Sequence, residues 1–110
     1  MINGVPVVEA PAEIDICNAE QLRIALLDAG SRGQATVVVD MTRTRFCDSE
    51  GFRVLIGAHK RALADGGGLR LVILAKTQVL RTFTVIGLGR FIPRFGSLDQ
   101  ALSPPRQSRT

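Results

Sequence analysis

The chain has 110 residues, 45% of them hydrophobic and 22% charged, enough for one globular domain with a modest core and too few for a second. Five Phe and no Trp or Tyr leave Val, Ile, Leu and Ala to build that core, a composition that suits an α/β layer fold. The net charge of +4 comes almost wholly from twelve Arg against two Lys; they are scattered and no aromatics interleave with them, which argues against a nucleic-acid surface and favours an acidic protein partner.

VPVVEA (5–10) is a short, mostly apolar run and reads as a strand, followed by the turn-like PAEID. Asn18 followed three residues later by Gln21 has capping-box spacing. The helix after it puts Ala19, Leu22, Leu26 and Ala29 on one face and ends at Gly30 and Gly33. TVVVDM (36–41) is β-branched and continuously apolar, as expected of a strand covered on both faces of a parallel sheet. From Asp48 a second helix runs to about Ala64, with Phe52, Leu55, Ile56, His59, Ala62 and Leu63 at helical spacing and Arg53, Lys60 and Arg61 facing away; Asp65-Gly-Gly-Gly stops it. LRLVILA (69–75) is another buried-type strand. Thr77 caps a short helix carrying Val79, Leu80, Phe83 and Ile86, which ends at Gly87-Leu-Gly89. RFIPRF reads as a brief edge strand, because Pro93 cannot donate within a central one. Ser97 with Gln100 repeats the capping-box spacing before a last small helix, and SPPRQSRT is expected to be a disordered tail. This alternation of strand and helix implies a mostly parallel sheet.

No apolar run approaches the roughly 20 residues needed to cross a bilayer, and the N-terminus carries no basic segment followed by an apolar core. A soluble, cytoplasmic protein with no membrane association is therefore expected. Cys17 and Cys47 form no CxxC and stand near no cluster of His, so a zinc site or disulfide framework is not indicated, and both read as buried or half-buried thiols. Cys47 and His59 flank one helix; about twelve residues at ~1.5 Å each separate them far beyond hydrogen-bond reach, so no nucleophile and base pair forms there. Asp65-Gly66-Gly67-Gly68 lacks the GK[ST] of a phosphate loop and precedes a strand. Asp15, Asp40 and Asp48 could gather at strand ends, but no spacing rule makes them a Mg²⁺ site. No metal, cofactor or catalytic set is expected.

The stretch FCDSEGF (46–52) has a structural reading in full: Asp48 or Ser49 as N-cap and Glu50 in the acid-favouring first turn. The same helix start is also a place where a phosphorylated hydroxyl would be tolerated electrostatically while changing what a partner meets.

VVVDMTRTRFCDSEGFRVLIGAHKRALADGGGLRLVIL, followed by VLRTFTVIGLGRFIPRFGSLDQAL, resembles the STAS domain of bacterial anti-sigma factor antagonists. Asp40, Thr44, Phe46, Asp48, Ser49, Gly51, Gly87-Leu88, Phe95, Ser97-Leu98 and Ala101-Leu102 stand at that family's motif positions, and PAEIDICNAEQLRIAL is similar to its first helical segment. The resemblance implies an α/β, STAS-like fold: a mostly parallel sheet of roughly four to five strands with about four helices, in one domain over residues 1–103, with 104–110 as the tail.

It also implies a binding protein rather than an enzyme. Such proteins capture a serine-kinase anti-sigma factor and release a sigma factor. The kinase counters by phosphorylating a serine at the start of the second helix, and a phosphatase reverses this. Ser49 is the candidate phosphorylation site. Members with Asp-Ser-Ser-Gly carry the phosphate on the second serine, and that place is Glu50 here, so the resemblance implies that Glu50 occupies the switch position as a standing partial mimic of phosphoserine. Asp15, Arg43, Arg45, Asp48, Ser49, Glu50 and Arg53 are the candidate partner-binding residues. Arg43 and Arg45 add charge that would favour an approaching acidic group. The alternative reading is a STAS scaffold or nucleotide-sensing module of another signalling assembly.

Overall fold

In the computed structural model, which describes residues 2, 4–30 and 36–103, the run TVVVD becomes strand β3 (Thr36–Asp40) at the heart of a four-stranded sheet. Its neighbours are β1 (Val7–Glu9) and β5 (Gly68–Val72), and β6 (Arg94–Phe95) lies beyond β5, giving the order β1-β3-β5-β6 with every pairing parallel. Val37, Val38 and Val39 are all buried. Successive side chains leave opposite faces of a strand, so three buried Val in a row require both faces to be covered.

The covers are unequal. On one face lie α1 (Ala19–Gly30) and α2 (Ser49–Ala64), which pack on each other and on β1, β3 and β5. There Leu22, Leu26, Phe52 and Leu55 join Val37, Val39, Leu69 and Leu71 in the main core. On the other face the five-residue α4 (Leu98–Leu102) covers Val38 and Val72 through Ala101. Burying a Leu or Phe contributes about 1.5–3 kcal/mol relative to exposure, so the two long helices supply most of the holding energy. The remaining helix, α3 (Gln78–Val85), leads through a 3-10 turn (Leu88–Arg90) to the edge strand β6.

The expected α1 face, Ala19, Leu22, Leu26 and Ala29, is the buried one. Thr77 and Ser97 cap α3 and α4 by accepting hydrogen bonds from the N–H groups of Leu80 and Gln100. Several expectations need correction. PAEID is more than a turn: Glu13–Ile14 forms a two-residue strand, β2, parallel to β4 (Phe46–Cys47), as a separate small pair. Asn18 does not cap α1; its amide turns upstream, accepting from the N–H of Asp15 and donating to the carbonyl of Glu13. The third long strand ends at Val72 rather than Ala75, although Ile73 still donates to the Phe95 carbonyl. Leu63 and Ile86 are exposed, and Cys17 is exposed rather than buried. Gly33 and the tail 104–110 lie outside the described residues.

Candidate functional site

The start of α2 is positioned from below by the β2–β4 pair. Ile14 stands opposite Cys47 in register, and the Asp48 N–H donates to the Ile14 carbonyl. The chain therefore enters the helix at a fixed place and angle. Asp48 is the N-cap, with extended backbone (φ −87°, ψ −177°), and its Oδ1 accepts from the Gly51 N–H at 3.1 Å. The close approach also explains Gly51. A Cβ at that position would stand 2.6 Å from Cys47 Sγ and 2.6 Å from Ile14 Cγ2, far inside the 3.5–4.0 Å of normal contact. The glycine lets the helix sit directly on the strand pair.

Ser49 follows the cap and is exposed, and no described residue hydrogen-bonds its hydroxyl. Glu50 is half-buried in the first turn. Arg53 is exposed and stands one turn further along, three and four residues on, the spacing that shares a helix face. Asp15 continues from β2 as Asp48 continues from β4, so the strand pair brings both acids to one end. The Asp15 carboxylate accepts from the Cys17 N–H. Arg45 is anchored just before β4 by its N–H to the Ala12 carbonyl, and its guanidinium stands 3.6 Å from the exposed Glu13 carboxylate. Arg43 instead borders a cleft of about 420 Å³ between the segment after β1 and the first turns of α1, together with Glu9, Asn18 and Gln21.

Thr44 and Asp40 hold the loop that leads to this site. Buried Thr44 donates its hydroxyl to the Pro11 carbonyl, while Asp40 Oδ1 accepts from both the N–H and the hydroxyl of Thr42. Asp40 is thus engaged in its own turn, and among the described residues no group of His, Cys, Asp and Glu is arranged to hold a metal ion. Cys47 is buried, and burial, helped by the neighbouring Asp48 carboxylate, pushes its thiol up to about 12. A thiol in that state is a core side chain and a poor nucleophile. His59, also buried, accepts the Leu69 N–H on Nδ1 at 3.0 Å and plays no part here.

Sequence reasoning overlooked the apolar share of this surface. Phe46 is 47% exposed and Ile16 73% exposed, on the strand pair and the turn that follows it. Their signal was the two-residue alternation, Phe46 outward and Cys47 inward, which is too short to read without the partner strand.

A family model described as "Mlab, STAS domain" matches residues 3–94. The chain belongs to the STAS domain family. A solved anti-sigma factor antagonist from Mycobacterium paratuberculosis is similar to this STAS chain over 93% of its length and 86% of the other chain, at 26% identity and a TM-score of 0.83. The Bacillus cell fate determinant SpoIIAA in its phosphorylated form is 24% identical, with 93% and 92% of the two chains covered and a TM-score of 0.65. A murine Solute Carrier 26 family anion transporter shares the fold at 23% identity and a TM-score of 0.73, over 92% of this chain but 17% of the transporter. No curated protein matches the chain at a significant level.

Proposed function

We propose that this STAS protein is an anti-sigma factor antagonist of the cytoplasm: it binds a serine-kinase anti-sigma factor, releases a sigma factor and catalyses no reaction. The observation that carries the reading is the start of α2, where a capped, rigidly seated helix end presents the exposed Ser49 beside the half-buried Glu50. The likeness to the mycobacterial antagonist, over nearly the whole of both chains, supports it. The contact surface combines this helix start, Arg53, Asp15 and Arg45 with the apolar Phe46 and Ile16. Arg43 contributes a further cation that faces the neighbouring cleft. Such a surface, with apolar anchors inside a polar rim, is the usual anatomy of a specific interface.

Glu50 gives this surface a permanent carboxylate where a phosphate would stand. Glu has one charge and two oxygens against roughly −1.5 to −2 charges and three oxygens for phosphoserine, so it weakens binding without abolishing it. Replacing Glu50 by Ser should therefore tighten binding to the cognate anti-sigma factor, measured by calorimetry; unchanged or weaker affinity would remove the mimic. The exposed Ser49 hydroxyl favours a second reading, in which Ser49 is the switch and a phosphatase resets it. Incubation with the kinase and ATP, followed by mass spectrometry, separates the two: stoichiometric label on Ser49 establishes the switch, and an unlabelled chain leaves the attenuated form.

The fold of the solute carrier relative supports one other role, a STAS module within a larger assembly. Light scattering on the complex formed with cellular partners distinguishes it, since a scaffold appears as a large particle and an antagonist as a small one.

A further inference from the structure

At the far end of α2 from Ser49, a cleft of about 410 Å³ opens beside the amino ends of β3 and β5. His59 lines it and is 6% exposed. Because its Nδ1 accepts the Leu69 N–H, that nitrogen presents a lone pair and the proton of the neutral ring sits on Nε2. No described residue accepts a hydrogen bond from Nε2. A donor left unpaired inside a protein calls for an explanation, because most buried polar groups are paired.

The rest of the cleft suits an apolar body. Phe91 is 70% exposed and Leu63 55% exposed, with Pro93 beside them and the Gly66–Gly68 turn as backbone wall. No Asp or Glu is among the lining residues. Arg70 borders the cleft, but its guanidinium is engaged on the α4 side, donating to the carbonyls of Ala101 and Ser103 and lying over the Phe95 ring. The cleft therefore sets one buried imidazole among aromatic and aliphatic side chains, with no carboxylate in its lining. Its volume is in the range of small-molecule pockets.

We propose that this cleft binds a small organic monocarboxylate with a flat apolar body. One carboxylate oxygen accepts the His59 Nε2–H in a charge-assisted bond, and the body packs against Phe91 and Leu63. Gly68 keeps this wall open: a Cβ there would stand 3.2 Å from His59 Cε1, pressing the ring that the ligand needs.

Benzoate is a suitable probe, titrated into the ¹⁵N-labelled full chain and followed by amide and imidazole NMR signals. Saturable shifts are expected at Gly66 to Leu69 and at the His59 ring. The Leu69 amide should move downfield, because a carboxylate on Nε2–H strengthens Nδ1 as an acceptor. Benzamide, which keeps the ring and loses the charge, should bind about tenfold more weakly, and Phe91→Ala should weaken benzoate by a similar factor. Ser49→Ala should bind benzoate unchanged. The proposal is overturned if benzoate gives no saturable shift, if the shifts gather at the Arg43 cleft instead, or if benzamide binds equally well. The Leu69 signature is read in the unmodified chain, so it decides the matter even if Phe91→Ala fails to fold.

Discussion

Gly51→Ala sets local propensity against packing, and the two predict opposite signs. Alanine is favoured over glycine within a helix by about 0.8–1 kcal/mol, so a helix considered alone should gain. The new methyl, however, would meet Cys47 Sγ and Ile14 Cγ2 at 2.6 Å and Ile14 Cβ at 3.2 Å. Ile14 and Cys47 are both buried, and a β-branched Ile has little freedom to rotate aside. Overpacking of this kind costs about 1–3 kcal/mol. The upper end applies where two contacts are nearly 1 Å too short, which leaves a net loss of about 2 kcal/mol. For a domain of this size that lowers Tm by about 8 °C and moves the urea midpoint with little change in m. Removing one obstacle should relieve it: the double variant Gly51→Ala/Cys47→Ala should be more stable than the sum of the singles by about 0.5 kcal/mol or more. A Gly51→Ala chain as stable as the parent, or more so, would refute the claim that α2 rests directly on the strand pair.

Asp48→Ala removes the cap on Gly51 N–H and should cost about 0.5–2 kcal/mol by urea denaturation, while Asp48→Asn, which keeps an acceptor, should cost much less. Cys47 gives stability a pH dependence. Its folded thiol is held at about 12, above the ordinary 9.0, so the unfolded chain loses this proton first. The contribution is complete below the ordinary value and is lost as pH rises toward 12. The urea midpoint should fall as pH rises from about 9 toward 12, and Cys47→Ala should remove that part of the fall. In the folded chain at neutral pH a thiol-alkylating reagent should label the exposed Cys17 and spare Cys47 until the chain unfolds; equal rates on both would contradict the seating of Cys47 beneath α2.

The large elements were readable because each carries a long enough pattern. Residues 36–39 form a run of β-branched residues whose three Val are buried on both faces of the sheet, and the α1 face repeats Ala19, Leu22, Leu26 and Ala29 at helical spacing. Asp48, Thr77 and Ser97 announced their helices because a cap is a local bond over three residues. The β2–β4 pair was invisible for the opposite reason. Two residues define no period, and Glu13–Ile14 becomes a strand only because a segment more than thirty residues away lies beside it. With it went the reasons for Gly51 and for the outward Phe46, both of which depend on that pairing. Asn18 had the right residue type and spacing for a cap, yet its amide is worth more to the turn at Asp15, where it satisfies two backbone groups at once. At the candidate site Asp48, Ser49 and Glu50 stand in the motif itself, whereas the division of the polar residues into a surface at the α2 start and a separate Arg43 cleft required the fold.

In the proposed role, the start of α2 captures a serine-kinase anti-sigma factor. This is tested by affinity capture from a lysate of the cells that make the protein, with the unmodified chain and with Ser49→Asp side by side, read by mass spectrometry. The unmodified chain is expected to retain a serine-kinase anti-sigma factor, and Ser49→Asp, which places a third negative charge between Asp48 and Glu50, to lose it. Absence of such a kinase from the unmodified chain's partners, or its equal retention by both chains, would contradict the account.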